Sequence, residues 1–196
     1  MNNFSSISEY IYNQSGQKAI FIFSIAFVFT LLLMMYKPFG LEVVYSIAPG
    51  TKILDTQFNY SSLTAHETLN KLGASGRQAY IKLLIVDYFY ILAYTGFYIV
   101  VLTALAKYFF PRVRIFQFLW VLPLSGAIFD AIENIFTLIQ INAFPNDSLS
   151  AYGISNLVTM VKMIIMFPCE VIAFIGAIAY LVSFLVKKLR PSAKSY

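Results

Sequence analysis

The chain has 196 residues, of which 59% are hydrophobic and 12% are charged, and its net charge is +5. An ordinary soluble domain is about 45–50% apolar and about 25% charged, so this composition and a mean hydropathy of +0.73 indicate an integral membrane protein. One cysteine and one histidine exclude a disulfide framework within the chain and a three-histidine zinc site. The residues therefore predict no metal site and no cofactor.

The positive charge does not indicate nucleic-acid binding. The basic residues cluster in short connections and near the C-terminus, where orientation in a membrane explains them, and no basic stripe accompanies a nucleic-acid-binding motif. The partner that the composition predicts is the lipid bilayer, with a small molecule or lipid as a second candidate. The sequence leaves the oligomeric state open.

Four apolar stretches predict an all-α polytopic membrane protein, a four-helix transmembrane bundle that forms one domain over residues 1–196. Polar residues 1–17 are expected to be a short soluble lead-in. A bilayer-spanning helix needs about 20 apolar residues. The predicted helices cover about residues 19–36, 80–110, 115–141 and 156–186.

Residues 38–79 form one long segment between the first and second predicted helices. Proline and glycine interrupt its early part, where residues 42–47 allow a short strand or turn. A capping box at residues 64–67 and apolar residues at helical spacing predict a short amphipathic helix over about residues 64–72, ended by Gly73. This helix is expected on the outer face of the bundle, either as a lid over a polar site or as simple interfacial packing.

Lysine and arginine positions predict the orientation. Lys107, Arg112 and Arg114 flank the connection between the second and third predicted helices, and further basic residues follow the last helix. Basic connections favour the cytoplasm. We therefore expect cytoplasmic N- and C-termini, residues 38–79 outside, and a location in the bacterial inner (plasma) membrane.

The third predicted helix contains the sequence Asp-Ala-Ile-Glu-Asn at residues 130–134. Positions i, i+3 and i+4 of a helix share a face, so Asp130, Glu133 and Asn134 should point the same way. Ionisable groups at membrane depth are costly and usually face the protein interior or a water-filled cavity. This stretch is therefore the strongest indication of a functional site.

Depth estimates from the helical rise place further charged residues at about the same membrane depth as Asp130 and Glu133. Asp87 and Glu170 are expected in the outer third of the membrane with the two carboxylates of residues 130–134, and Lys162 at or above the outer rim. Such an acidic group should recruit Arg77, Lys82 or a cation, or hold a proton. Tyrosines follow Asp87 at helical spacing. The predicted ligand-binding residues are Asp87, Asp130, Glu133, Asn134, Glu170, Lys162, Arg77, Tyr90 and Tyr94.

Three functions fit these residues. The leading hypothesis is an outward-facing acidic, tyrosine-lined pocket that binds or passes a cationic or amphipathic small molecule or lipid. The second is an intramembrane enzyme in which Asp130 and Glu133 perform acid–base chemistry on a lipid-soluble substrate. The third is a structural or accessory subunit whose polar cluster only sets the helix register. Whether the chain is an enzyme stays open.

The order of three motifs resembles a family of bacterial four-helix integral membrane proteins. These motifs are Leu-Gly-x-x-Gly-Arg-x-x-Tyr at residues 72–80, then Asp87, then Asp-x-x-Glu-Asn at residues 130–134. The resemblance covers roughly residues 55–140. It implies the four-helix architecture and no established activity.

Overall fold

The computed structural model describes residues 3–146 and 148–189, and this part of the chain is helical without strands. Two short 3₁₀ helices, Leu54–Thr56 and Arg114–Phe118, lie in connections. The α-helices are α1 (Asn3–Gln14), α2 (Gln17–Met35), α3 (Leu41–Ile47), α4 (Ser62–Phe109), α5 (Val121–Ala143) and α6 (Leu149–Leu189). Of the basic residues that follow the last predicted helix, Lys187 and Lys188 belong to α6, and those from Arg190 onward lie outside the described residues.

Four of these helices, α2, α4, α5 and α6, belong to segments long and apolar enough to cross a membrane. This confirms the prediction of an all-α chain with four such segments. The helix bounds differ from the predicted ones: α6 begins at Leu149 rather than near residue 156, and α4 is already helical before residue 80. Helix α5, which corresponds to the third predicted helix, begins at Val121 rather than at residue 115, because a 3₁₀ helix precedes it. Pro123 lies in the first turn of α5, where its missing N–H costs no helical hydrogen bond.

The expected polar lead-in is a helix, α1, that packs against the rest of the chain. The indole N–H of Trp120 donates to the Ser8 hydroxyl at 3.0 Å, and the Lys107 ammonium lies 4.5 Å from the centre of the Tyr12 ring. Ser8 is almost fully buried. Polar composition alone did not reveal this packing, because the buried contact is itself polar.

The long segment between α2 and α4 packs onto the membrane-length helices. Its first element is the helix α3, where the sequence allowed a strand or turn. Val44, Ile53 and Leu54 are fully buried and share an apolar core with Tyr80 of α4. The segment is therefore held by hydrophobic burial, which removes these side chains from water.

Helix α4 begins at Ser62, slightly before the predicted start of the amphipathic helix at about residue 64. The Ser61 hydroxyl accepts a hydrogen bond from the Thr64 N–H at 3.0 Å, so Ser61 is the N-cap and the capping residue is not Thr64. Such a side-chain acceptor satisfies one of the free N–H groups of the first turn. The predicted apolar face is buried and consists of Ala65, Leu69 and Leu72.

Gly73 divides α4 into two parts, as the predicted helix stop at this residue implied. Its φ of +62° and ψ of −177° belong to a backbone region that is essentially restricted to glycine. The second part, residues 74–109, is about 54 Å long at the helical rise. It extends beyond the roughly 30 Å of a hydrocarbon core.

The second part of α4 is central to the packing, with contacts to α2, α5 and α6. The other large interface joins α5 and α6. There Gly126 lies so close to Met166 that a Cβ atom on residue 126 would overlap the methionine side chain. The absence of a side chain thus lets α5 and α6 approach closely, just before Asp130 on α5.

Gly73→Ala should lower the free energy of unfolding by about 1–3 kcal/mol, because alanine is strained at this φ and ψ. No atom lies within 4 Å of a Cβ built there, so the loss would come from the backbone alone. Thermal unfolding in detergent measures it. The control is Gly153→Ala in α6, where a Cβ meets only the Ser62 hydroxyl at 4.0 Å and helix propensity should raise stability by about 0.5–1 kcal/mol. Equal effects of the two substitutions would contradict the role of Gly73.

Candidate functional site

An ion-paired cluster joins α5 to α6. The Lys162 ammonium lies 3.1 Å from Asp130 Oδ1 and also pairs with the Glu133 carboxylate. The Lys162 side chain is 12% exposed and that of Glu133 is fully buried. Since charges taken out of water need compensation, one ammonium here balances two carboxylates that lie one turn apart on α5.

Two hydroxyl groups complete this cluster. The Tyr94 hydroxyl of α4 donates to Asp130 Oδ2 at 2.8 Å, so both oxygens of Asp130 have partners. The Thr159 hydroxyl donates to Glu133 Oε1 at 2.6 Å. Hydrogen bonds to ionised groups are stronger than hydrogen bonds between neutral groups. Through these two hydroxyls, α4, α5 and α6 all contribute to the cluster.

A second buried pair connects α4 with α5 beside the ion pair. The Asn134 amide donates to Asp87 Oδ2 at 2.6 Å, and both side chains are buried. Asp130, Glu133 and Asn134 therefore all face the interior, as their helical spacing predicted. Asp87 joins them from the neighbouring helix.

Asp55 is a member of the site that the sequence did not reveal. It lies in the 3₁₀ helix of the long connection, and the Tyr80 hydroxyl donates to its Oδ1 at 2.7 Å. Burial raises the pKa of Asp55, while the positive charge of Lys162 and the hydrogen bond from Tyr80 act in the opposite direction. The connection thus contributes a carboxylate to the electrostatics of the cluster.

A cavity of about 570 Å³ adjoins the ion pair between α4 and α6. Its size is within the usual range for small-molecule pockets. Phe58 of the long connection also lines it, and so do the exposed side chains of Ile164 and Phe167 on α6. The tyrosine and charged lining residues are Tyr90, Tyr94, Tyr98, Asp130, Lys162 and Glu170.

The position of Lys162 relative to the carboxylates differs from the predicted one. Lys162 is not beyond the carboxylates but beside them, in contact with Asp130 and Glu133. The estimate counted back from the C-terminal basic residues and assumed a helix of membrane length. However, α6 runs from Leu149 to Leu189, about 61 Å at the helical rise, so its ends do not mark the membrane surfaces.

Arg77, another predicted ligand-binding residue, is engaged elsewhere. Its guanidinium donates to the Leu69 carbonyl at 2.8 Å and lies 4.3 Å from the centre of the Phe144 ring. Because the helix is interrupted at Gly73, carbonyl groups of the preceding turn lack their usual helical donors. Arg77 satisfies one of them, and Lys162 is the basic residue of the cluster.

Several polar site residues were missed although helical spacing could have indicated them. Thr159 precedes Lys162 by three residues on α6 and shares its face. On α5, Thr137 and Gln140 continue the buried face that begins at Asp130. For Asp55 and Tyr80 no local signal exists, since they meet through tertiary packing.

Lys162→Met should lower the free energy of unfolding by about 3–5 kcal/mol, because it leaves two buried carboxylates without their ammonium. Chemical unfolding in detergent measures this loss. The control is Lys37→Met: Lys37 pairs with Glu42 at 3.7 Å on the surface, and such exposed pairs contribute about 0–1 kcal/mol. Adding Glu133→Gln to Lys162→Met should restore part of the loss. Equal costs for the two lysine substitutions would refute the compensating role of Lys162.

Comparisons with known proteins give no function for this site. No family model, curated protein or solved structure matches this chain. The resemblance of residues 55–140 to a bacterial four-helix membrane family therefore stays a prediction. The function has to be inferred from the geometry of the site.

Proposed function

We propose that this chain is a four-helix integral membrane protein whose cavity binds an amphipathic molecule or lipid with a cationic head group. One observation carries the proposal: three tyrosines and the carboxylates Asp130 and Glu170 line the same 570 Å³ cavity. A mostly apolar pocket with a few converging polar groups is typical of small-molecule binding.

The charges around the cavity favour a cation. Its one lining lysine, Lys162, is already shared between Asp130 and Glu133, while Glu170 is exposed and lines the cavity as a further carboxylate. The ring centroids of Tyr94 lie 5.3 Å from Tyr90 and 6.2 Å from Tyr98. Aromatic faces attract cations, so this tyrosine wall and the carboxylates act in the same direction.

The apolar lining favours a ligand with a hydrophobic part. Ile164 is 60% exposed and Phe167 is 67% exposed, and both line the cavity. In a bilayer these side chains would face lipid, since exposed apolar surface of a membrane helix is covered by acyl chains. A ligand could then enter from the membrane plane and keep an apolar tail against α6.

The proposed orientation has cytoplasmic N- and C-termini and the connection between α2 and α4 outside. Its support is the basic connection between α4 and α5, which carries Arg112 and Arg114, because such residues favour the cytoplasmic side. Phe58 belongs to the opposite connection and lines the cavity. In this orientation the cavity is reached from the outside or from the outer leaflet of a bacterial inner membrane.

Binding is better supported than acid–base catalysis. Catalysis by paired carboxylates requires both groups within reach of one substrate. Asp130 lines the cavity, whereas Glu133 is fully buried and bonded to Thr159 and Lys162. A purely structural role for the cluster is the remaining alternative, and a binding experiment separates it from the proposal.

Tetraphenylphosphonium is a suitable cationic apolar probe, with tetraphenylborate as an anion of matched shape. Purified protein in nanodiscs should bind the cation above the level of empty nanodiscs and above the anion. Glu170→Gln should weaken cation binding by about tenfold, a change of about 1.4 kcal/mol. Equilibrium binding of radiolabelled probe measures both effects.

The control variant is Glu42→Gln, which removes an exposed carboxylate on α3, away from the lining residues, and should leave binding unchanged. Equal binding of the cation and the anion would refute a cationic ligand. Wild-type binding no higher than in empty nanodiscs would favour the structural role instead.

Cysteine labelling tests the orientation. In a Cys169→Ser background, Lys52→Cys should react with a membrane-impermeant maleimide in intact bacterial cells, because residue 52 is exposed on the connection proposed to be outside. Arg114→Cys, exposed between α4 and α5, should react only after permeabilisation. The reverse pattern would invert the proposed topology.

A further inference from the structure

Beyond the ion pair, α5 carries buried polar atoms that have no hydrogen-bond partner among the described residues. They are Asn134 Oδ1, Thr137 Oγ1 and both amide atoms of Gln140. The three side chains are 0–2% exposed. Their spacing of three residues places them on one face of the helix, between the carboxylate cluster and the Ala143 end of α5.

Thr137 differs from other buried threonines of the chain. The hydroxyls of Thr30 and Thr95 donate to the carbonyl four residues earlier in their own helices, at 2.9 and 2.6 Å, and the Thr159 hydroxyl donates to Glu133. The Thr137 hydroxyl makes no such bond and is fully buried. It is therefore available to a group outside its own helix.

The Asn134 oxygen is constrained in the same way. Its amide nitrogen is bonded to Asp87, so Oδ1 cannot exchange places with that nitrogen without losing the bond. A buried polar atom that stays unpaired costs about 1–3 kcal/mol. Several such atoms on one face therefore indicate a small polar ligand.

Water fits this face better than an ion. Gln140 presents a donor and an acceptor, Thr137 can do both, and Asn134 presents an acceptor, so the ligand has to donate as well as accept. Buried water molecules make about three hydrogen bonds to groups that the protein leaves unsatisfied. Side chains three residues apart on a helix are about 5–6 Å apart at Cβ, a span that one bridging water can close.

We propose that the α5 face from Asn134 to Gln140 binds a short chain of water molecules that leads from the Ala143 end of α5 to Asp87 and Glu133. This water route is separate from the tyrosine-lined cavity, whose lining does not include Thr137 or Gln140. Protons can then reach the buried carboxylates while the cavity is occupied. The inference does not rest on cation binding.

Radiolytic hydroxyl labelling of the full-length protein in nanodiscs tests the water route. Bound water generates hydroxyl radicals in place, so a buried side chain beside it is oxidised although bulk solvent does not reach it. Ile141, next to Gln140, and Ile91, on α4, are each 5% exposed. Ile141 should be labelled several-fold faster than Ile91. Equal labelling rates would overturn the proposal.

The double variant Thr137→Val, Gln140→Met removes the polar atoms at nearly constant volume. It should reduce the labelling of Ile141 to the rate of Ile91 and lower the thermal unfolding temperature more than Thr95→Val, whose hydroxyl bonds within its own helix. An unchanged or higher unfolding temperature would show a dry face, because apolar replacement of unpaired polar groups stabilises a protein. If the variant does not fold, the wild-type comparison decides alone.

Discussion

The arrangement of α4, α5 and α6 depends on the ion pair between Lys162 and the carboxylates of Asp130 and Glu133. Removing these charges from water costs several kcal/mol per ion, so the pair is stable only if geometry and hydrogen bonding are good. Gly126 lets α5 and α6 approach closely near the pair. Tyr94 supplies a hydrogen bond from α4. The polar interior thus sets the relative positions of the helices.

The same polar interior stabilises the helix packing only weakly, because the desolvation of the buried charges opposes their attraction. Replacement of a buried ion pair by apolar residues of similar volume is often neutral or stabilising, so stability by itself does not explain it. Its position next to a cavity offers a better explanation, because Asp130 and Lys162 belong both to the cluster and to the cavity lining. In the proposed function the same side chains have a binding role and a structural role, and the proposed water route on α5 connects Asp87 and Glu133 with solvent.

The elements that depend on local sequence were predictable, and those that depend on distant contacts were not. The inward face of Asp130, Glu133 and Asn134 followed from helical periodicity, and the break at Gly73 from a glycine at the end of an amphipathic pattern. Lys162 was predicted above the carboxylates and lies beside them, because the full length of α6 cannot be read from hydropathy. Arg77 was assigned to the carboxylates, but the helix break beside it creates a closer acceptor.

Residue order alone predicts an all-α chain with four membrane-length apolar segments, one of which carries three polar residues on its inward face. Both follow from local rules, namely the apolar length that a bilayer requires and the 3.6-residue period of a helix. The pairing of Lys162 with these carboxylates and the approach of Asp55 to the cluster follow from tertiary packing instead. Such contacts depend on how far each helix extends and how closely its neighbours pack, and these quantities arise only when the helices meet.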